Sequence, residues 1–174
     1  MIRSALKRVG ESLPPEPRIE ILLVGGAAGL LTGLLPPGRT TLDCDVMVYV
    51  PASAWHSVEQ CAERVGRDMG LATSWLNSVA SMRIDSLPDD WSGRRVTIGR
   101  FGALTVHAIS RVDLIAMKFI AHRAQDLEDL MSLNVAAADV AFVREFIDRL
   151  RSKRTPRQEI DEALEILDSW ELPR

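Results

Sequence analysis

The feature that most constrains this chain is an apolar run that stops at paired glycines. Ile19-Glu20-Ile21-Leu22-Leu23-Val24 lies between Pro17 and Gly25-Gly26. Bounded in this way by proline and glycine, so short a run reads as a buried strand. Ala27 to Leu34 then favours a helix, stopped by Pro36-Pro37-Gly38. A strand that turns at glycines into a helix leaves backbone N–H groups free and lets a ligand approach the main chain, which suits phosphate. Taken alone, the plainer reading is a tight turn with no ligand.

Asp43-Cys44-Asp45 follows, ahead of the β-branched and aromatic run Val46–Val50 that Pro51 closes. In a strand, period-two alternation puts both carboxylates on one face and Cys44 on the other, into the core. Side by side, the two charges repel, and a shared cation offsets that cost. Mg²⁺ suits such a pair, because it takes oxygen ligands and keeps positions open for phosphates. By itself Asp-x-Asp is short and common, and the plainer reading is one aspartate capping a turn beside a solvated one. A dinucleotide-binding turn is a rival reading of the glycines. However, the sequence reads Gly25-Gly26-Ala27-Ala28-Gly29, the G-x-G-x-x-G pattern is not met, and no parallel strand–helix rhythm follows.

The remaining elements predict an α/β fold, a small mixed sheet flanked by helices with further helices at the C-terminus. Residues 2–13 read as an amphipathic helix, and 52–70 as another through Trp55, Val58, Cys61, Ala62 and Val65. Trp75-Leu76-Asn77 reads as a packed loop and Met82–Leu87 as a strand. Val96–Ile98 and Leu104–Ile109 read as a hairpin. Ser110 is a suitable N-cap for a helix over 111–133, with helices over 139–152 and 157–170 after it. Residues 1–135 would form the main domain and 136–174 a helical extension packed on it. Lys118, His122, Asp126 and Asp129 share one face of an unbroken helix, with Ile120, Leu127 and Met131 opposite, on the core. Met117 and tryptophans 55, 75, 91 and 170 read as packing residues.

Charge and cysteine usage narrow the setting. A net charge of −3, from 21 basic and 24 acidic residues, argues against gripping nucleic acid by bulk charge. The basic runs Arg94-Arg95 with Arg100, and Arg151 to Arg154, read as solvated surface. Cys44 and Cys61 lack metal-ligand spacing, and the chain starts without a long apolar run. The expectation is a reducing cytoplasm and no membrane.

Two stretches together carry a family resemblance. Leu22-Leu23-Val24-Gly25-Gly26-Ala27-Ala28, then Arg39-Thr40-Thr41-Leu42-Asp43-Cys44-Asp45-Val46, resembles the polymerase-β-type nucleotidyltransferase signature. Asp113-Leu114-Ile115-Ala116-Met117-Lys118-Phe119-Ile120-Ala121, with Arg123 and Asp126-Leu127-Glu128-Asp129-Leu130, looks like the lysine-plus-aspartate helix of minimal nucleotidyltransferases and of AbiEii/MenT-type toxins. Trp75-Leu76-Asn77 is similar to a segment of small predicted nucleotidyltransferases.

The resemblance, over about residues 19–135, implies a nucleotidyltransferase fold. It implies that Gly25 and Gly26 hold a nucleoside triphosphate, that Arg39 and Lys118 contact phosphate, and that Asp43 and Asp45 bind Mg²⁺. Asp43, Asp45, Lys118 and Asp126 would be the catalytic residues, with Asp129 as an alternative to Asp126 for orienting the catalytic face. The implied reaction moves a nucleoside monophosphate to a hydroxyl of an RNA such as tRNA, a protein or a small molecule, and pyrophosphate leaves. A toxin–antitoxin role, with an antitoxin partner, comes with it. The chain departs from the pattern in two places. Pro36-Pro37-Gly38 lengthens the link between Gly26 and Asp43. The strand expected to carry a third carboxylate, Leu104-Thr105-Val106-His107-Ala108-Ile109, has His107 and no acid. A non-catalytic nucleotide-binding or protein-interaction module is therefore the alternative.

Overall fold

The computed structural model describes residues 1–153 and 155–170. Arg154 of the second basic run and the last four residues of the expected extension lie outside the described residues. Five strands form one mixed sheet: β1 (Ile19–Val24), β2 (Cys44–Val50), β3 (Leu76–Asn77), β4 (Val96–Phe101) and β5 (Leu104–Ala108). Their order across the sheet is β3-β2-β1-β5-β4. The central strand, β1, is buried at every position but Glu20, as its near-continuous apolar sequence requires. It pairs antiparallel with β2 and parallel with β5. β3 runs parallel to β2, and β4 closes a hairpin on β5 at Gly102, whose φ is +56°.

This topology brings distant residues to one edge of the sheet. β1 ends where β2 begins, so Val24 pairs with Asp45. β3 enters at the same level, and Asn77 pairs with Asp45 from the other side. β5 ends there too, and Ser110 caps the helix that follows, its Oγ accepting from the Asp113 N–H and donating to Asp113 Oδ2 at 2.7 Å.

The helices are α1 (Ile2–Ser12), α2 (Gly25–Leu31), α3 (Trp55–Met69), α4 (Trp91–Arg94), α5 (Arg111–Ala121), α6 (Ala124–Ser132), α7 (Ala137–Leu150) and α8 (Arg157–Ser169). α1 and α3 pack together, and α1 also covers β4 and β5. α3 buries the stripe Trp55, Val58, Cys61, Ala62 and Val65 and ends at Gly70, whose φ of +68° only glycine adopts freely. α6, α7 and α8 all pack on α5. No helix among the described residues is long and apolar enough to cross a membrane.

Four expectations need correction. Met82–Leu87 is no strand: residues 79–86 form 3-10 turns with a kink at Arg83, and Met82 is exposed. The run offers no consistent alternation to bury, so a sheet edge gains nothing by pairing it. Leu76-Asn77 is a short strand rather than part of a loop. The helix expected over 111–133 breaks at His122, whose φ is +36°, and reverses into α6. That reversal rotates Met131 outward, 73% exposed, away from the core it was expected to join. Among the expected packing residues, Trp55 and Trp75 are buried, and Trp91, Trp170 and Met117 pack partly buried against the core.

Candidate active site

Asp45 is half-buried at the start of β2, while Asp43 precedes the strand and is exposed. Cys44 between them is fully buried, as alternation demands. Its thiol is pushed up to about 12, first by burial and then by the charges of Asp43 and Asp45, so it is inert at neutral pH. Burial raises the Asp45 carboxyl above its ordinary value, and the charge of Asp43 raises it further. A hydrogen bond from Asn77 Nδ2 at 3.3 Å and the charge of Arg123 work in the opposite direction.

Gly25 lies against Asp45, and Gly26 against Thr41 and Arg39. Gly25 has a φ of +65°, and a Cβ there would stand 3.2 Å from Asp45 Oδ2. A Cβ at Gly26 would stand 3.3 Å from Thr41 Oγ1 and 3.4 Å from Arg39 Nη2. The pair begins α2 itself rather than preceding it, and α2 is only seven residues long. The missing Cβ atoms let Asp45, Thr41 and Arg39 come close to this turn.

Lys118 is 3% exposed and donates to Asp126 Oδ1 at 3.0 Å and to Asp129 Oδ2 at 2.6 Å. The reversal at His122 makes this possible, because it folds α6 back over the end of α5. Arg39 Nε donates to Asp129 Oδ1 at 3.0 Å, and Arg123 Nε donates to Asp126 Oδ2 at 2.7 Å. Cations and carboxylates therefore alternate from Arg39 through Asp129, Lys118 and Asp126 to Arg123. Burial pushes the Asp126 carboxyl up, but the hydrogen bonds from Arg123 and Lys118 outweigh it and hold its pKa below the usual range. Arg123 is itself raised, first by Asp126 and then by Asp45 and Asp43, so its charge also faces the acid pair. Sequence reasoning missed Arg123 and Asn77 as site residues. Arg123 was readable as a cation three residues from Asp126, whereas Asn77 needs the β2–β3 register.

His122 does not join this cluster, contrary to the expectation of a single helix face. Its ring reaches the Ile120 carbonyl at 2.8 Å and Glu162 of α8 at 3.1 Å. His107 lies elsewhere on the sheet, paired across from Leu22, with Nδ1 3.2 Å from Thr97 Oγ1 and Nε2 3.3 Å from Glu20. Arg94 of the first basic run is committed to the fully buried Asp113 at 2.6 Å rather than solvated.

A cleft of about 330 Å³ collects these features. Gly25, Asp45, Lys118, Arg123 and Asp126 line its polar part, and Val24, Met47, Val79, Leu114, Met117 and Ile120 its apolar part. Arg83 adds a further cation. Asp43, Gly26 and Arg39 lie beside the cleft rather than in its lining. A mixed five-stranded sheet that presents a glycine turn and an acidic pair at one edge, with further helices behind, has the nucleotidyltransferase fold. The chain belongs to a family described as nucleotidyltransferase of unknown function (DUF6036), whose model matches residues 4–167. No curated protein matches it.

Proposed function

We propose that this protein is a metal-dependent nucleotidyltransferase that moves a nucleoside monophosphate from a nucleoside triphosphate to a hydroxyl of an RNA, a protein or a small molecule. The observation that carries the reading is Asp45. Its carboxylate is held half-buried beside the Cβ-free Gly25, next to Asp43, in a cleft whose cations are paired to carboxylates.

The donor set fits Mg²⁺. Among the described residues no three His, Cys, Asp or Glu side chains cluster as a closed metal cage. A carboxylate whose ionisation a neighbouring carboxylate disfavours suits a hard cation completed by water and substrate oxygens. Asp43 and Asp45 would hold it, and such a cation supplies charge neutralisation at the transferring phosphate and at the departing pyrophosphate. The chain's own groups do the rest. Gly25 and Gly26 admit the triphosphate to the backbone, Arg123 offers it positive charge, and the apolar wall from Met47 to Met117 receives the nucleoside. Lys118 and Asp126 act as positioning residues, because each is committed to the other. Arg39 extends that positioning to Gly26.

The test is transfer of label from α-labelled nucleoside triphosphates, with Mg²⁺, to tRNA, to cell extract and to the protein itself. Transfer that disappears in Asp45→Asn supports the reading, and transfer unaffected by that change overturns it. One observation favours a second reading, nucleotide binding without turnover: the strand beside β1 carries His107 and no third acid, and His107 is not in the cleft lining. Calorimetric binding of a nucleotide with no transfer to any acceptor would select it. A toxin's role in an antitoxin-controlled pair is compatible with the first reading. Growth arrest on expression that requires Asp45 supports that role.

A further inference from the structure

We propose that Asn77 is a positioning residue that aims the Asp45 carboxylate and, with the same side chain, fixes the roof of the cleft. The proposal rests on the nucleotidyltransferase reading of Asp45. It assigns a role to the last residue of Trp75-Leu76-Asn77, a motif to which the proposed function gives none.

The segment is anchored before it reaches the site. Trp75 is 1% exposed, and its Nε1 donates to the Ala62 carbonyl of α3 at 2.8 Å. Gly66, one turn further along α3, makes room for the indole, since a Cβ there would stand 2.8 Å from Trp75 Cδ1. The backbone is tied from the other side, where Cys44 N donates to the Trp75 carbonyl at 2.6 Å. Leu76 is buried beneath the sheet edge. These contacts anchor the β3 backbone, and its register sets Asn77 opposite Asp45.

The Asn77 amide then has one orientation that satisfies both its ends. Its Oδ1 accepts from the Val79 N–H at 3.1 Å, and its Nδ2 donates to Asp45 Oδ1 at 3.3 Å. A flipped amide would oppose two donors on one side and two acceptors on the other. The amide is thus locked, and it locks one oxygen of Asp45. The other, Oδ2, faces the open Cα of Gly25 and accepts no hydrogen bond from any described residue. A carboxylate repelled by Asp43 and attracted by Arg123 would otherwise turn toward whichever charge dominates. Holding Oδ1 decides where Oδ2 points.

The second contact reaches the roof. Val79 begins the 3-10 stretch over residues 79–86, and Val79, Ala80, Arg83 and Ser86 all line the cleft. Asn77 therefore sets both the acid on the cleft floor and the point from which its cover departs. Aspartate in its place would keep the contact to Val79 but face Asp45 with a like charge. Serine would keep a weaker turn contact to Val79 and lose the reach to Asp45.

The test uses the full chain as wild type, Asn77→Ser and Asn77→Ala. Mn²⁺ binding is followed by electron paramagnetic resonance, hydrogen exchange is followed over residues 79–86, and steady-state transfer is measured. Both variants are expected to bind Mn²⁺ about 10-fold more weakly, the lower end of what losing a ligand's hydrogen-bond partner costs. Both should lose kcat with little change in the KM for nucleotide. Faster exchange at Val79 is expected in Asn77→Ala and not in Asn77→Ser. That difference separates the roof contact from the acid contact and guards against a misfolded alanine variant. Variants that bind Mn²⁺ and turn over like wild type overturn the role of Asn77 and leave the proposed function standing. A wild-type protein that binds no Mn²⁺ overturns the proposed function, and the role of Asn77 falls with it.

Discussion

Asp45 is held against its own charge. Burial and the neighbouring Asp43 raise its pKa, and Asn77 and Arg123 only partly restore it. A carboxyl whose folded pKa lies above its unfolded value binds protons more readily in the native state. Its ionisation therefore costs stability at neutral pH, and that cost fades as pH falls through the raised value. Asp45→Asn is predicted to abolish transfer and at the same time to raise the melting temperature at pH 7. A variant that melts lower than wild type would contradict this account of the residue. Asp126 is the opposite case, a buried carboxylate that holds two cations. Asp126→Ala leaves Arg123 unpaired and Lys118 buried with Asp129 alone. It is expected to cost about 3 kcal/mol, the usual penalty for stripping one partner from a buried ion pair, measurable by urea denaturation.

At the level of elements, α1 meets the β4–β5 hairpin almost backbone to backbone. A Cβ on Gly10 would stand 2.0 Å from the Phe101 carbonyl oxygen, and one on Gly102 would stand 2.3 Å from the Gly10 carbonyl oxygen. Gly10→Ala is expected to lower stability by about 1–3 kcal/mol, as overpacking does, in a denaturant titration, with the cleft chemistry unchanged. This contact also marks what sequence makes legible and what it hides. The strand at Ile19–Val24, the strand after the acid pair, the Trp55–Met69 helix and the β4–β5 hairpin all announce themselves through runs, alternation or periodicity that each segment carries within itself. The break at His122 does not, because no glycine or proline marks it and the stretch from Arg111 to Leu133 has helical periodicity throughout. Its cause is tertiary: the reversal lets Lys118 meet Asp126 and Asp129, and His122 then bonds Glu162. β3 is hidden for a similar reason, being short and defined only by its partner β2. The same division runs through the site. Gly25, Asp45, Lys118 and Asp126 stand out in sequence and line one cleft, whereas the pairing of Arg39 with Asp129 and of Asn77 with Asp45 exists only once the chain has folded.

Across the whole molecule, titration ties these groups to stability. Asp126 and Asp139 both have depressed pKa values. Burial opposes the shift in each, and hydrogen bonds outweigh it, from Arg123 and Lys118 for Asp126 and from Arg111 and the Ala136 N–H for Asp139. Their contribution is complete above the ordinary value of 3.8 and is lost as pH falls through the depressed values. His107 is also depressed, by burial first and by Arg95 next, so the unfolded chain takes up its proton first. Stability should therefore begin to fall near the ordinary histidine value of 6.5. Melting temperature against pH should decline in two stages, shallow from His107 and steep from the carboxylates. The curve is best read in Asp45→Asn, which lacks the opposing titration, and the shallow stage should vanish when His107→Leu is added. A single steep stage in both proteins would remove His107 from the account.

The last described helix touches the cleft only through other residues. Glu159 of α8 pairs with Arg83 in the roof, and Glu162 of the same helix holds His122 at the reversal behind Lys118. One rigid rod thus grips both the cover of the cleft and the corner that builds its wall. The exposed flank of α8 is in effect a handle on the cleft, and anything that tugs there, whether a bound protein or an engineered fusion, pulls on a cavity that no residue of α8 lines.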